Sequence, residues 1–325
     1  MKQITWGIIG CGDVAERKSG PAFQNVPNSS LIAVMRRDAD KAADFALRHQ
    51  VPKWYCHAQD IIHDDDINAI YIATPPSSHE KYALAALEAG KHVYLEKPMA
   101  LDRKSALRIH QKALSSKGKL VIAHYRRALP LFIKVKHLLD EKIIGEISWV
   151  DIRMSEPVTS HTAADSETNW RLNPVISGGG LFHDLAPHQL DLMLHYFGEV
   201  DEAMGFSINQ SRMSAADDLV HGIIKFANGI HLRGVWDFAS EKGQEDICEI
   251  HGSIGKIAFP FFGDKISVWQ SGSNSAIPMP YPQFVQEPMV AQVVNYFLGK
   301  GTNPCPGGEA VEVMRIMDIF TQPSQ

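Results

Sequence analysis

Short apolar runs alternate with amphipathic stretches over the first third of the chain. Residues 4–9 (Ile-Thr-Trp-Gly-Ile-Ile) are a brief apolar strand candidate that stops at Gly10, and a helix is expected to follow the turn to about residue 24. Residues 30–35 repeat the apolar run, and 38–49 carry helical spacing. The pattern then recurs: strands at 69–73, 93–95 and 120–123, helices at 79–89 and 102–117. Gly90 and Gly118 stop those two helices, and Asp102 is placed to cap the second. Strand–helix alternation at this spacing predicts a parallel, doubly wound sheet.

The rhythm changes after His124. A helix over 130–141 precedes a strand over 146–153, and 154–176 is polar and loop-rich. Gly178-Gly179-Gly180 leads into a helix over 181–197. Strand candidates follow at 202–209, 219–226, 230–237, 246–251, 256–259 and 265–270, and Asn228-Gly229 between two of them is a strong hairpin signal. Closely spaced strands joined by short turns predict an antiparallel sheet. Helices at 287–298 and 308–320 close the chain. The expected organisation is α/β with two domains, 1–123 and 124–325, the C-terminal helix being the element that can return to the first domain.

Composition adds exclusions. The 325 residues are 45% hydrophobic and 21% charged, an ordinary globular balance, and the net charge of −5 offers no basic field for nucleic acid. No run approaches the roughly 18–20 apolar residues that a membrane span needs. Met1-Lys2-Gln3 passes directly into the first strand, so no signal peptide is expected. Cys11, Cys56, Cys248 and Cys305 lie far apart without CxxC spacing, which argues against disulfides and zinc and for a reducing cytoplasm.

The first turn carries chemistry. Gly10-Cys11-Gly12-Asp13-Val14-Ala15 is a G-x-G-x-x-A pattern between a strand and a helix. Gly10 permits the tight turn, Gly12 has no Cβ to block a pyrophosphate, and Ala15 lets the helix approach the sheet. Free N–H groups at the helix start attract phosphate. An NAD site has Asp or Glu at the end of the second strand; this chain has Arg36-Arg37, whose guanidinium groups suit a 2′-phosphate. The expected cofactor is therefore NADP, with NAD the alternative if these arginines are solvated or only stack on adenine.

Two more motifs stand where strands end: Ala73-Thr74-Pro75-Pro76-Ser77-Ser78-His79 and Glu96-Lys97-Pro98. Further on, 178–191 reads GGGLFHDLAPHQLD, close to a G-G-G-x-x-x-D-x-x-x-H-x-x-D signature. With the glycine loop, the set resembles the glucose–fructose oxidoreductase / inositol dehydrogenase (Gfo/Idh/MocA) family over essentially the whole chain. The resemblance implies a Rossmann domain followed by an α/β domain with a large, mostly antiparallel sheet that often mediates dimers or tetramers. It implies a nicotinamide between the domains and a small sugar or cyclic-polyol substrate. It makes Thr74, Pro75, His79, Glu96 and Lys97 candidates for the cofactor site.

Hydride transfer to a carbonyl needs a proton donor at the oxygen, and histidine titrates in the useful range. By resemblance, His188 is the acid/base, Asp184 lines the same pocket and Lys97 hydrogen-bonds the reacting oxygen. Asp184, His188 and Asp191 fall at i, i+4 and i+7, one face of a helix, with Asp191 expected to support from behind. Asp and His four apart also suit zinc, but no third ligand has diagnostic spacing, so no metal is expected. Tyr125, Arg126, Trp170 and Arg171 are substrate-contact candidates, and the polar loop with Glu156, His161, Asp165, Glu167 and Asn169 suits a hydroxylated substrate. The chain departs from the pattern at Ala186 and Pro187, so a kink or a later helix start is expected there. His183 points off the Asp184 face. The competing functions are a non-catalytic cofactor or ligand sensor on the same fold, and reduction of a non-sugar such as a dihydrodiol or tetrapyrrole.

Overall fold

The computed structural model describes residues 2–12, 15–157, 169–241, 243–270 and 272–321. Its contacts divide the chain into two compact units, Met1–Arg126 with Pro282–Val311, and Arg127–Tyr281 with Glu312–Gln325.

The first unit is built on six strands: β1 (Ile4–Ile9), β2 (Ser29–Met35), β3 (Lys53–Tyr55), β4 (Ala69–Ile72), β5 (His92–Leu95) and β6 (Leu120–Ile122). They pair in the order β3-β2-β1-β4-β5-β6, all parallel. This is the doubly wound order, in which ligands bind beyond the carboxyl ends of the strands where the order reverses, here beside β1 and β4. β4 is buried throughout, the continuous apolar run that a sheet covered on both faces requires. In the aromatic core Phe23 packs at a tilt against Trp6 (4.6 Å) and Tyr71 (5.1 Å), and Tyr71 stacks on Tyr94 (5.2 Å). The helix Glu287–Phe297 belongs to this unit because Phe297 packs on Trp6 (5.7 Å) and on His92 (4.7 Å). By these contacts residues 282–311 fall in the first unit, while most of the last helix, Gly307–Thr321, counts with the second.

The second unit is an eight-stranded sheet ordered β14-β13-β12-β11-β7-β10-β9-β8. Its strands are β7 (Ile147–Ser155), β8 (Val200–Ile208), β9 (Leu219–Phe226), β10 (His231–Asp237), β11 (Glu245–Gly252), β12 (Gly255–Phe259), β13 (Lys265–Gln270) and β14 (Ser273–Pro278). Only β7 and β10 run parallel; every other neighbouring pair is antiparallel. The Asn228-Gly229 hairpin joins β9 to β10, with Gly229 at φ 86° and Asn228 Oδ1 accepting from the Ile230 N–H at 3.2 Å. One sheet face packs on the helix Gly180–Phe197 and on Phe320. Trp236 is the centre of that core, edge-on to Phe182 (5.2 Å) and bonded through its indole N–H to Gln189.

Among the described residues no helix is long and apolar enough to cross a membrane. The strands β3 and β14 have no counterpart in the sequence reading. Both are terminal strands of their sheets, and β14 (Ser-Asn-Ser-Ala-Ile-Pro) is almost wholly exposed, so neither has an apolar alternation to read.

Candidate active site

In the first unit the glycine turn closes the carboxyl end of β1. Gly10 has φ 96°, and a Cβ there would lie 2.8 Å from Thr74 Cγ2 and 3.0 Å from the Ala73 carbonyl carbon. Both the conformation and the space thus require glycine, because β1 and β4 end side by side. Gly12 is different: among the described residues a Cβ there would meet nothing within 4 Å. The space over the turn is open, as a cradle for a pyrophosphate must be. The Gly10 and Cys11 N–H groups donate to the Met35 carbonyl, tying the turn to the end of β2. Asp13 and Val14 lie outside the described residues. Ala15 is buried and begins a wide π-type turn, Ala15–Ser19, before the regular helix Gly20–Asn25. Cys11 is buried, and burial pushes its thiol up to about 11, so it packs as a neutral side chain.

The two arginines after β2 divide. Arg36 is half-buried and donates from Nη1 to the Cys11 carbonyl at 3.3 Å, which brings its guanidinium to the glycine turn. Arg37 is exposed. Beyond β4, the Ser78 hydroxyl donates to Thr74 Oγ1 (2.8 Å) and reaches the Pro75 carbonyl (3.0 Å), holding that loop in a tight turn.

His79 has no exposed surface, and its ring nitrogens face the Thr74 carbonyl (2.7 Å) and the Pro98 carbonyl (2.9 Å). Burial outweighs the pull of these carbonyls and pushes its pKa down to about 4. Its ring therefore ties the loop after β4 to the loop after β5. Glu96 is likewise turned inward: one carboxylate oxygen accepts from the Tyr71 hydroxyl (2.5 Å) and the Gln286 amide (2.7 Å), the other from the Lys97 N–H (3.2 Å). Its carboxylate takes part in this buried network. Lys97 itself is half-buried at the end of β5.

In the second unit the helix Gly180–Phe197 carries the other cluster. It begins inside the glycine triplet and runs on through Pro187, so the later start expected from that proline does not occur. Residues 186–194 are all buried. Packing on that scale offsets the single hydrogen bond that proline removes. Asp184 accepts from Arg171 Nε at 3.1 Å, and the Arg171 guanidinium lies 4.7 Å from the Trp170 ring. His188 is buried and meets the Phe262 ring edge-on at 6.2 Å. Asp246 sets that loop by accepting the Phe261 and Phe262 N–H groups at 3.0 and 2.7 Å. Asp191 is buried in a two-pronged pair with Arg127, at 2.8 and 2.6 Å. Arg127 ends the basic segment His124-Tyr125-Arg126-Arg127 that leaves β6, and only the fold reveals it as the partner of Asp191.

Glu156 is half-buried just past β7; burial first, then the charge of Asp184, raises its carboxyl pKa. His183 is also buried in this helix, where burial pushes its pKa down to about 4, and a Cβ at Gly179 would strike its ring at 2.2 Å. Tyr125 and Arg126 are both buried, with the guanidinium 5.5 Å from the phenol ring. His161, Asp165 and Glu167 lie outside the described residues. Among the described residues no three His, Cys, Asp or Glu side chains gather as a metal site would require.

Comparison with known proteins places this geometry. The model of the oxidoreductase family with an NAD-binding Rossmann fold matches residues 4–125, and that of the GFO/IDH/MocA C-terminal domain matches 132–258. The chain is 46% identical over 318 residues to oxidoreductase P35 of Formosa agariphila, covering 98% of each. Levoglucosan dehydrogenase, solved with NADH and levoglucosan, superposes with a TM-score of 0.86 at 21% identity, covering 98% of this chain and 96% of that one. A mutant 3-ketoreductase of Actinomadura kijaniata, solved with TDP-benzene and NADP, gives 0.84 at 19% identity over 98% of each chain.

Proposed function

The chain belongs to the Gfo/Idh/MocA family of oxidoreductases, and from that premise we propose that it is an NADP-preferring dehydrogenase or reductase of CH–OH groups on a small sugar or polyol. The observation that carries the cofactor preference is the Arg36 guanidinium, bonded to the Cys11 carbonyl at the glycine turn where an acidic residue would serve NAD. When bound, the nicotinamide supplies or accepts the hydride. Gly10, Gly12 and Ala15 would hold its pyrophosphate, and Arg36 with Arg37 its 2′-phosphate.

The chain's own residues handle the proton and the oxygen. His188 is the acid/base, exchanging a proton with the reacting oxygen through an imidazole nitrogen. The Lys97 ammonium is the hydrogen-bond donor that would stabilise negative charge developing on the reacting oxygen. Asp184, held by Arg171, accepts from a substrate hydroxyl, and Trp170 with Arg171 contacts the ring. Sugars are favoured because one relative, the 1,5-anhydro-D-fructose reductase of Ensifer adhaerens, is named for one, as are solved structures of the same fold such as levoglucosan dehydrogenase, and because Glu156, Asn169 and Arg171 beside Asp184 are polar.

Steady-state rates with NADP and NAD over a panel of aldoses, anhydrosugars and cyclitols test the reading. A higher kcat/KM with NADP, lost in Arg36→Leu, is expected. A clear NAD preference overturns the cofactor assignment, and tight cofactor binding without turnover on any panel member favours a sensor. Replacing His188 with Asn should lower kcat at least about a hundredfold; wild-type turnover removes it from the mechanism.

The open face of the eight-stranded sheet is assigned to a second copy of the chain. Met204, Phe206, Ile208 and Ile223 are each more than half exposed along β8 and β9. Beside them Arg233 donates to Asp151 at 2.6 Å, Arg153 bonds Glu245 at 2.9 Å, and Lys256 pairs with Glu249. An apolar edge next to charges of both signs complements itself under a two-fold axis.

A further inference from the structure

Gln286 is a buried amide in an aromatic core. It stands immediately before the helix Glu287–Phe297, is 1% exposed, and joins Tyr71 and Tyr94 in the polar part of the first unit. An apolar side chain of the same length would fill this space without the cost of desolvating an amide. The amide is instead bonded at both ends. Nε2 donates to Glu96 Oε1 at 2.7 Å, and Oε1 accepts from the Tyr94 hydroxyl at 3.2 Å. The arrangement fixes which end is which, because a carboxylate only accepts. Burial, reinforced by the charge of Glu96, raises both tyrosine pKa values well above the phenol range, so both hydroxyls keep their protons and remain donors.

The network ends on Lys97. Glu96 Oε1 is held by Tyr71 and Gln286, which fixes the carboxylate plane, and Oε2 takes the Lys97 N–H at 3.2 Å. On the other side of Lys97, His79 holds the carbonyl of Pro98 at 2.9 Å. The main chain at Lys97 is thus gripped before and after the residue by buried side chains from other parts of the fold. Placing a catalytic group to within a fraction of an ångström requires such support, and small misplacements cost rate.

We propose that Gln286 is a positioning residue for Lys97, acting through the Glu96 carboxylate to fix the backbone from which the lysine reaches the reacting oxygen. This rests on the assignment of Lys97 to the reacting oxygen made above. The test is a cycle of Gln286→Met, Lys97→Ala and the double variant, with kcat, KM for cofactor and substrate, and thermal midpoint measured on each. Gln286→Met should lower kcat about tenfold, change either KM by less than about twofold, and have no further effect on kcat in the Lys97→Ala background. An equal loss in that background overturns the proposal, as does unchanged turnover in Gln286→Met. If Lys97→Ala alone retains wild-type kcat, the assignment of Lys97 fails instead, and the two failures are distinct.

Two further variants guard against a folding defect. Tyr94→Phe removes only the outer hydrogen bond and should lower kcat in the same direction by a smaller factor. Gln286→Glu can donate to Glu96 only when its new carboxyl is protonated. Its turnover, relative to wild type, should therefore recover as pH falls, while that of Gln286→Met stays flat. Parallel pH profiles for the two variants would count against the positioning role.

Discussion

Removing either member of the Arg127–Asp191 pair should destabilise the second unit strongly, and removing both should cost far less. Their side chains are 5% and 1% exposed, so neither charge can turn to water when its partner is lost. The bidentate bonds at 2.8 and 2.6 Å satisfy the guanidinium fork along one edge. Breaking a buried pair by deleting one partner costs about 3–5 kcal/mol, whereas replacing both with apolar side chains of similar volume is often neutral. Asp191→Asn and Arg127→Met should each lose roughly that amount by urea denaturation followed by tryptophan fluorescence. Arg127→Met with Asp191→Leu should recover most of it. The double variant also separates two roles for Asp191, which lies one turn beyond His188. If Asp191 only fixes the helix, the double variant keeps kcat within about threefold of wild type. A single variant losing less than about 1 kcal/mol, or a double variant as unstable as the sum of the singles, would refute the buried-pair reasoning.

Three other outcomes follow from the geometry. His79 and His183 have folded pKa values pushed down by burial to about 4 from the ordinary histidine value of about 6.5, so the unfolded chain binds more protons between those limits; stability is full above about pH 6.5 and falls as pH drops towards 4, by up to about 3 kcal/mol for each histidine, and His183→Asn should flatten that acid limb in a urea–pH series. Gly10→Ala places a side chain at φ 96° against Thr74 and should lower the thermal midpoint as well as cofactor affinity, whereas Gly12→Ala meets no atom of the described residues and should leave the midpoint unchanged while weakening cofactor binding about tenfold or more by fluorescence titration; equal stability of the two variants would contradict this. Phe206→Glu combined with Ile223→Glu should shift sedimentation velocity towards the monomer with unchanged circular dichroism, and an unaltered assembly would remove the sheet face from the interface.

What the sequence determined by itself was periodicity and punctuation. Apolar runs of strand length separated by amphipathic stretches are enough to fix a parallel sheet, because a sheet covered on both faces tolerates little else. Once that sheet is granted, Gly10, Thr74 and Lys97 must stand at its carboxyl ends, since each follows a strand within two residues. The helical spacing of Asp184, His188 and Asp191 was equally local and equally readable. Pairings between distant segments were not. Nothing near Asp191 announces Arg127, and nothing near Glu96 announces Gln286, some 190 positions downstream. The inward turn of His79 and Glu96 was hidden for the same reason: a polar residue at the end of a strand looks alike in sequence whether it faces a ligand or a buried carbonyl. Pro187 misled because a local rule about one lost hydrogen bond was outweighed by the burial of residues 186–194, an energy that exists only after the sheet has closed over the helix. Local chemistry thus fixed which residues are available at the strand ends. Long-range packing decided which of them are spent on holding the others in place.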